Sequence, residues 1–305
     1  MVSFFLHRLK LALITIFGVT LLVFIAARVS GDVVYTLVDA SAGQEEIDKM
    51  RRQLDLDKPV WLQYISYVGH VARGDFGRSI RYQRPVVEVI AERIPKTVQL
   101  GLAAFAVALS LGISLGILAA RTRGSLIDRA ARTLAVLAQS MPHFWIGIMA
   151  ILIFAVILRW LPTSGSGTWQ HLVMPALTLA TFPMAAIMRI TRSSMLETLD
   201  AEYVKFLRVK GLAERLIVWK HALRNALIPV VALSGIQLGN LLGGAVIVET
   251  VFSWPGLGNL MVESIVSRDY PVIQSGVLMI AVFLITLNFL VDLVFGVIDP
   301  RIRYN

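Results

Sequence analysis

The chain has 305 residues, 56% of them hydrophobic and 16% charged, with no cysteine and a formal net charge of +9. Soluble domains carry about 25% charged residues, so a chain this apolar needs lipid around it, and a disordered chain or an ordinary water-soluble globule is excluded. The missing thiols exclude disulfides, thiolate metal sites and a cysteine nucleophile.

Six stretches lack Asp, Glu, Lys and Arg: Leu11–Ala27, Thr97–Ala120, Thr133–Leu158, Leu172–Met188, Asn225–Val248 and Pro271–Val291. Each has at least 17 residues, which is enough helix for a hydrocarbon core about 30 Å thick. Alternating strand patterns are absent, so the expected architecture is an all-α polytopic membrane protein with six transmembrane helices. His7, Arg8 and Lys10 precede the first run and Arg28 follows it; its length exceeds a signal-peptide core and the charge occupies the cleavage zone, so it reads as an uncleaved helix.

Lysine and arginine are retained in short cytoplasmic loops. Segment 121–132 holds four of them and segment 189–224 holds eight, whereas 159–171 and 249–270 hold one each. The reading places both termini in the cytoplasm, with 16 basic and seven acidic residues inside and 13 of each outside. The positive surplus therefore lies along the inner membrane face, and nucleic acid is not needed to explain it.

None of the six runs carries an ionisable residue other than His143, beside Pro142. A lone histidine in an apolar helix reads as a packing residue rather than a relay, so a proton- or ion-driven carrier is disfavoured. The sequence contains no G-x-x-x-x-G-K-[ST] phosphate loop, no H-E-x-x-H zinc motif and no G-x-S-x-G nucleophile turn, and no catalytic or metal-ligating set is assigned. Gly256 and Gly258 follow Pro255 without a preceding strand and read as a turn. In the fifth run, Ser234, Gln237, Asn240, Gly243 and Gly244 are candidates for lining a solute path. Close helix packing is the competing reading for the glycines.

Between the fourth and fifth runs lie 36 residues, far more than a helix hairpin requires. Leu196, Leu199, Tyr203, Phe206 and Leu207 recur at helical spacing, and Glu202, Lys205 and Arg208 fall on another face. The reading is a short helix over about 197–211 ended by Gly211, then a second short helix over Leu212–Lys220.

The run Glu202-Tyr203-Val204-Lys205, Arg208-Val209-Lys210-Gly211-Leu212 and His221-Ala222-Leu223-Arg224-Asn225-Ala226-Leu227-Ile228-Pro229 closely resembles the coupling segment of permeases in ATP-binding-cassette importers, specifically the dipeptide, oligopeptide and nickel family. Leu56-Asp57-Lys58-Pro59, Gly74-Asp75-Phe76-Gly77-Arg78-Ser79, Arg93-Ile94-Pro95-Lys96-Thr97, Glu249, Trp254-Pro255-Gly256-Leu257-Gly258, Arg268-Asp269-Tyr270-Pro271 and Asp299-Pro300-Arg301 agree with it, in order, over nearly the whole chain. Such permeases usually place small residues where this chain has Phe206 and Leu207.

The resemblance implies a type I importer permease fold in a bacterial inner membrane. It divides the chain into an N-terminal helix with a long periplasmic segment (1–96), a transmembrane domain (97–292) and a cytoplasmic tail (293–305). It also implies a second homologous permease, two cytoplasmic subunits that bind ATP and Mg, and a periplasmic substrate-binding protein. This chain itself would hold no cofactor. Coupling to the ATPases would fall to Glu202, Tyr203, Lys205, Arg208, Lys210, Gly211, Leu212, His221, Arg224 and Pro229. Contact with the binding protein would fall to Trp61, Tyr64, Trp254, Arg268 and Asp269, with anchoring of the aromatics at the lipid interface as the competing reading. The solute would be small, with a di- or oligopeptide first among candidates. A passive channel or membrane scaffold is the alternative from another class.

Overall fold

A computed structural model describes residues 2–29, 43–53 and 57–298. The motif residues Leu56 and Asp299–Arg301, and most of the expected tail, lie outside them. The described elements are helices: α1 Val2–Val29, α2 Gln44–Gln53, α3 Val60–Ala72, α4 Val86–Arg121, α5 Leu126–Ser140, α6 His143–Ala150, α7 Gln170–Asp200, α8 Glu202–Val209, α9 Leu223–Val251, α10 Leu257–Val266 and α11 Tyr270–Ile298. The all-α expectation holds, with one isolated bridge between Arg78 and Pro85 the sole β-type pairing among the described residues. Among the described residues five helices are long and apolar enough to cross a bilayer, and α5 with α6 and its extension passes the same test only as a bent pair, which makes six if the pair is one span.

That break corrects the expected continuous third span. Met141 precedes a proline, whose ring disfavours the helical region for its neighbour. Met141 is accordingly extended (φ −95°, ψ 131°) and Pro142 caps α6, so the two halves meet at 107°. After α6 the chain widens into a π-helical stretch, Ile151–Ile157. From His143 the second half has 15 residues, about 22 Å, which is too short to cross alone.

The chain forms two compact units, Met1–Pro95 with Asn259–Leu290 and Lys96–Gly258 with Val291–Asn305. In the first, α3 packs on α1, and the Ser79–Arg81 turn is held by Asp269. The Ser79 hydroxyl donates to the Asp269 carboxylate at 2.5 Å, and the Ile80 and Arg81 amides donate at 3.1 Å each.

The second unit is built on α7. Gly112 and Gly116 of α4 stand four residues apart on one face, the small-residue spacing that lets helices approach closely. A Cβ on Gly116 would lie 2.6 Å from Thr191 Cβ and 2.8 Å from the Met188 carbonyl oxygen. Leu100, Ala104 and Ala108 of α4, Leu179, Ala180 and Ile187 of α7, and Leu241, Ala245 and Val248 of α9 close the core around this contact. Gly116→Val is expected to force α4 off α7 and cost about 1–3 kcal/mol by overpacking. Gly101→Val, where nothing lies within 4 Å, is expected to leave the thermal midpoint of the purified protein nearly unchanged. Equal midpoints for the two variants would refute the close-approach argument.

Candidate coupling site and solute path

The inner segment starts at Ala201, whose extended backbone (φ −67°, ψ 147°) ends α7 and caps α8. The short helix therefore runs Glu202–Val209 rather than from about 197. Leu196 and Leu199 stay on α7 and pack beside Ile117, Met195 and Val218, so the expected stripe is divided between two helices. Gly211 adopts φ +78°, a left-handed conformation that glycine reaches without the Cβ penalty. It closes α8 by donating from its amide to the Arg208 carbonyl at 2.9 Å. The expected second short helix is one turn, Glu214–Leu216, which passes through a π-helical stretch, Ile217–Ala222, into α9.

The inner side of α8 is locked to its own chain. Val204 is fully buried. Asn225 Nδ2 donates to the Tyr203 hydroxyl at 2.9 Å, and that hydroxyl approaches the His221 carbonyl at 3.4 Å. Arg208 forms a two-pronged pair with Glu214 at 3.0 and 3.2 Å, which holds the guanidinium pKa above its usual value, mainly through the hydrogen bond. Lys205 pairs with Glu202 at 2.7 Å. The outer side is open: Phe206 is 58% exposed and Val209 85%, with Lys210 Nζ lying 4.6 Å from the Phe206 ring centroid. Lys210 and Gly211 are exposed and Leu212 half-buried, while Arg224 and Pro229 are exposed farther along the chain. Tyr203, His221 and Asn225 therefore brace α8, whereas Glu202, Lys205, Phe206 and Val209 form its free surface.

The five path candidates separate along α9. Ser234 is buried and its hydroxyl donates to the Val230 carbonyl at 2.7 Å, which removes it from an open surface. Asn240 is exposed and donates to Gln237 Oε1 at 3.3 Å. Gly243 has nothing within 4 Å of its Cβ position, whereas that of Gly244 lies 3.1 Å from Leu179 Cδ1 and 3.2 Å from His143 Nε2. Gly244 is thus a packing glycine, and Gln237, Asn240 and Gly243 remain on the accessible side. His143 takes a packing position, its ring centroid 4.6 Å from that of Phe182.

Two expected contact residues are interior. Trp254 is buried and donates from Nε1 to the Lys96 carbonyl at 2.9 Å. Asp269 is buried and holds the Ser79–Arg81 turn. Their side chains shape the loops rather than lying on the surface of the chain. Arg268 (φ +53°) is exposed. Tyr64 packs on α1, and Trp61 points outward.

Three features escaped the residue-by-residue reading. Asp128 is buried under Arg192, Glu249 is buried against Thr97, and Gly112 and Gly116 seat α4 on α7. Only the glycine spacing is visible without coordinates.

The profile described as "Binding-protein-dependent transport system inner membrane component" matches residues 112–304, and that of its N-terminal region matches 1–101. The chain is 40% identical over 339 aligned residues to the "Di/tripeptide transport system permease protein DppB" of Pseudomonas aeruginosa, all of both chains being covered. It is 41% identical over 306 residues to the "Glutathione transport system permease protein GsiC" of Escherichia coli, again over both full lengths. Among solved structures, the inward-facing MetNI methionine ABC transporter matches with a TM-score of 0.59 at 20% identity, covering 70% of this chain and 97% of that one. An amino acid ABC transporter solved with histidines matches at 0.54 and 15%, covering 68% and 94%. With both profiles matched and two relatives aligned over their full length, the chain belongs to the binding-protein-dependent transport inner-membrane family, as a multi-pass permease of ATP-binding-cassette importers with the type I fold.

Proposed function

We propose that this permease forms half of the pathway by which a di- or oligopeptide, delivered by a periplasmic binding protein, enters the cytoplasm. A second homologous permease supplies the other half. Two cytoplasmic subunits bind ATP and Mg and do the work, and this chain has no ATPase site of its own. Both termini face the cytoplasm, where the basic loops lie. The peptide assignment is supported by the full-length similarity to peptide and glutathione permeases.

The observation that carries the coupling role is the asymmetry of α8. One side is bound to α9 through Tyr203 and Asn225, and the other presents Phe206 and Val209 to a partner. A push from an ATPase on that open side is transmitted through the braced side into α7 and α9, rocking the spans between inward- and outward-facing states. Gln237, Asn240 and Gly243 supply the polar and small wall the solute passes. Arg268 supplies an outward contact for the binding protein.

Gly211 tests the coupling role. Its Cβ position meets nothing within 4 Å, so a substitution acts through backbone strain alone. Gly211→Val, β-branched at positive φ, is expected to reduce substrate-stimulated ATPase and uptake of the reconstituted importer severalfold. Gly211→Asn, which tolerates that conformation, is expected to retain most of both. Full coupled turnover in the valine variant refutes the assignment.

A further inference from the structure

We propose that α3 is inserted into the outer leaflet of the bilayer, its Trp61–Ile65–Val68 row lying against lipid acyl chains. This goes beyond the coupling role and does not depend on it.

The depth gauge is α1. Lys10 and Arg28 stand at the two ends of its uncharged stretch, Leu11–Ala27. Eighteen helical steps between them rise about 27 Å, close to the thickness of the hydrocarbon core. Arg28 therefore marks the outer boundary, and Thr20, eight residues before it, lies about 12 Å inside. The Tyr64 hydroxyl is 3.0 Å from Thr20 Oγ1. Its ring stands edge-on to Phe17 at 6.1 Å and to Phe24 at 5.3 Å, and the Tyr67 ring lies 5.9 Å from that of Phe24. A tyrosine side chain is shorter than that 12 Å drop, so whichever way it points the backbone of α3 at Tyr64 is below the level of Arg28.

Gln63 of α3 is consistent with that depth. Gln63 is buried, accepting from Arg28 Nη2 and donating to the Lys58 carbonyl at 2.7 Å. The Arg28 guanidinium also sits 4.4 Å from the Phe24 ring centroid, so the boundary cation is held by groups of α1 and α3 together. Residues 60–72 contain no Asp, Glu, Lys or Arg, while Asp57 and Lys58 precede them and Arg73 and Asp75 follow. Thirteen residues make about 20 Å of helix, too short to cross, so the segment enters and leaves on the outer side.

What α3 turns away from α1 is apolar: Trp61 is 63% exposed, Ile65 59% and Val68 38%, at spacings of four and three. Phe17, Leu22 and Ile25 of α1, the helix on which α3 packs, are exposed as well, as expected of a span that faces lipid. A contiguous patch of this kind in water marks a site that something must cover, and at this depth acyl chains are that cover. Trp61, at the start of the helix nearest the charged flank, has the amphipathic ring favoured at the headgroup boundary. The binding protein is thereby kept from α3 and left with the loops beyond Arg73.

The absence of cysteine makes the test direct. Single cysteines at positions 61, 65 and 68 are spin-labelled in the complete importer, assembled with cysteine-free partners and reconstituted in phospholipid vesicles. Collision with oxygen, which concentrates in lipid, is expected to exceed collision with a water-soluble nickel chelate severalfold at all three sites. The ratio is expected to invert at positions 57 and 73. An excess of chelate collisions at 61, 65 and 68 overturns the proposal in favour of an aqueous face for a soluble partner. Exclusion of both reagents overturns it in favour of a protein contact. Val68→Cys removes little volume and stands as the decisive site if the tryptophan replacement fails to assemble; retained uptake identifies the assembled variants.

Discussion

Asp128→Ala is expected to destabilise the helical unit that carries the coupling segment by about 3–5 kcal/mol, the usual consequence of removing one partner from a buried ion pair. Asp128 is 1% exposed. Its carboxylate accepts from Arg192 Nε at 2.6 Å and Nη2 at 2.9 Å, and from the Gly124 amide at 3.0 Å. Arg132 adds a longer contact at 3.4 Å. These bonds fasten the start of α5 to α7, about two turns before α7 gives way to α8. Alanine leaves the Arg192 guanidinium, largely sheltered from water, without its acceptor, and strands the Gly124 amide as well. The loss is therefore larger than the net worth of the pair. Replacing both members, Asp128→Leu with Arg192→Met, is expected to recover much of the thermal midpoint, because it removes the uncompensated charge. Substrate-stimulated ATPase should recover less, since α5 no longer moves as one piece with α7. A single variant within about 1 kcal/mol of the parent, or a double variant no more stable than the single, would sink the account.

That pair also shows where the sequence stops being informative. The six apolar runs are legible because lipid leaves so little choice: a span must be long, uncharged and internally hydrogen-bonded. Direction is less legible. Pro142 stands in plain view, yet a hydropathy run is blind to the turn that Met141 must make before it. The end of α7 is hidden more deeply, for neither glycine nor proline marks Ala201, and the apolar spacing runs through it unbroken from Leu196 to Phe206. Only the extended backbone of Ala201 separates packing leucines from the exposed face. Gly211 is legible because its role is local: the left-handed end of a helix selects glycine. Buried acids are the opposite case. Asp128, Glu249 and Asp269 count as loop charges until folding brings them to Arg192, Thr97 and Ser79, which lie 64, 152 and 190 positions away. The adjacent glycines 243 and 244 also read alike in sequence, and only the packing of α7 and His143 against one of them tells them apart.

Gly256→Ala carries the other large effect expected, and it comes from a single methyl group. A Cβ on Gly256 would overlap the carboxyl carbon and Oε1 of Glu249, and that carboxylate is fully buried. Oε1 accepts from Thr97 Oγ1 at 2.7 Å, and the same threonine oxygen accepts from the Leu257 amide, which opens α10, at 2.8 Å. The Glu249 carbonyl accepts from the Trp254 amide at 2.8 Å, and Trp254 Nε1 reaches the Lys96 carbonyl. The turn from Phe252 to Gly258 is therefore wrapped around one acid, whose second oxygen lies 2.9 Å from the Cβ position of Gly258. The methyl meets the end of the Glu249 side chain, which can yield only by giving up the hydrogen bond it accepts from Thr97, at a cost of about 3 kcal/mol from overpacking and a buried group left unsatisfied. Gly243→Ala, with open space at its Cβ, is expected to be neutral or stabilising by up to about 1 kcal/mol, as alanine favours a helix interior. Shortening the acid supplies the internal control. Glu249→Asp draws the carboxylate back by one methylene, so the Gly256→Ala/Glu249→Asp double variant is expected to be more stable than Gly256→Ala alone. If thermal unfolding ranks Gly256→Ala with Gly243→Ala, or if the aspartate brings no recovery, the buried acid is not what requires glycine at this turn.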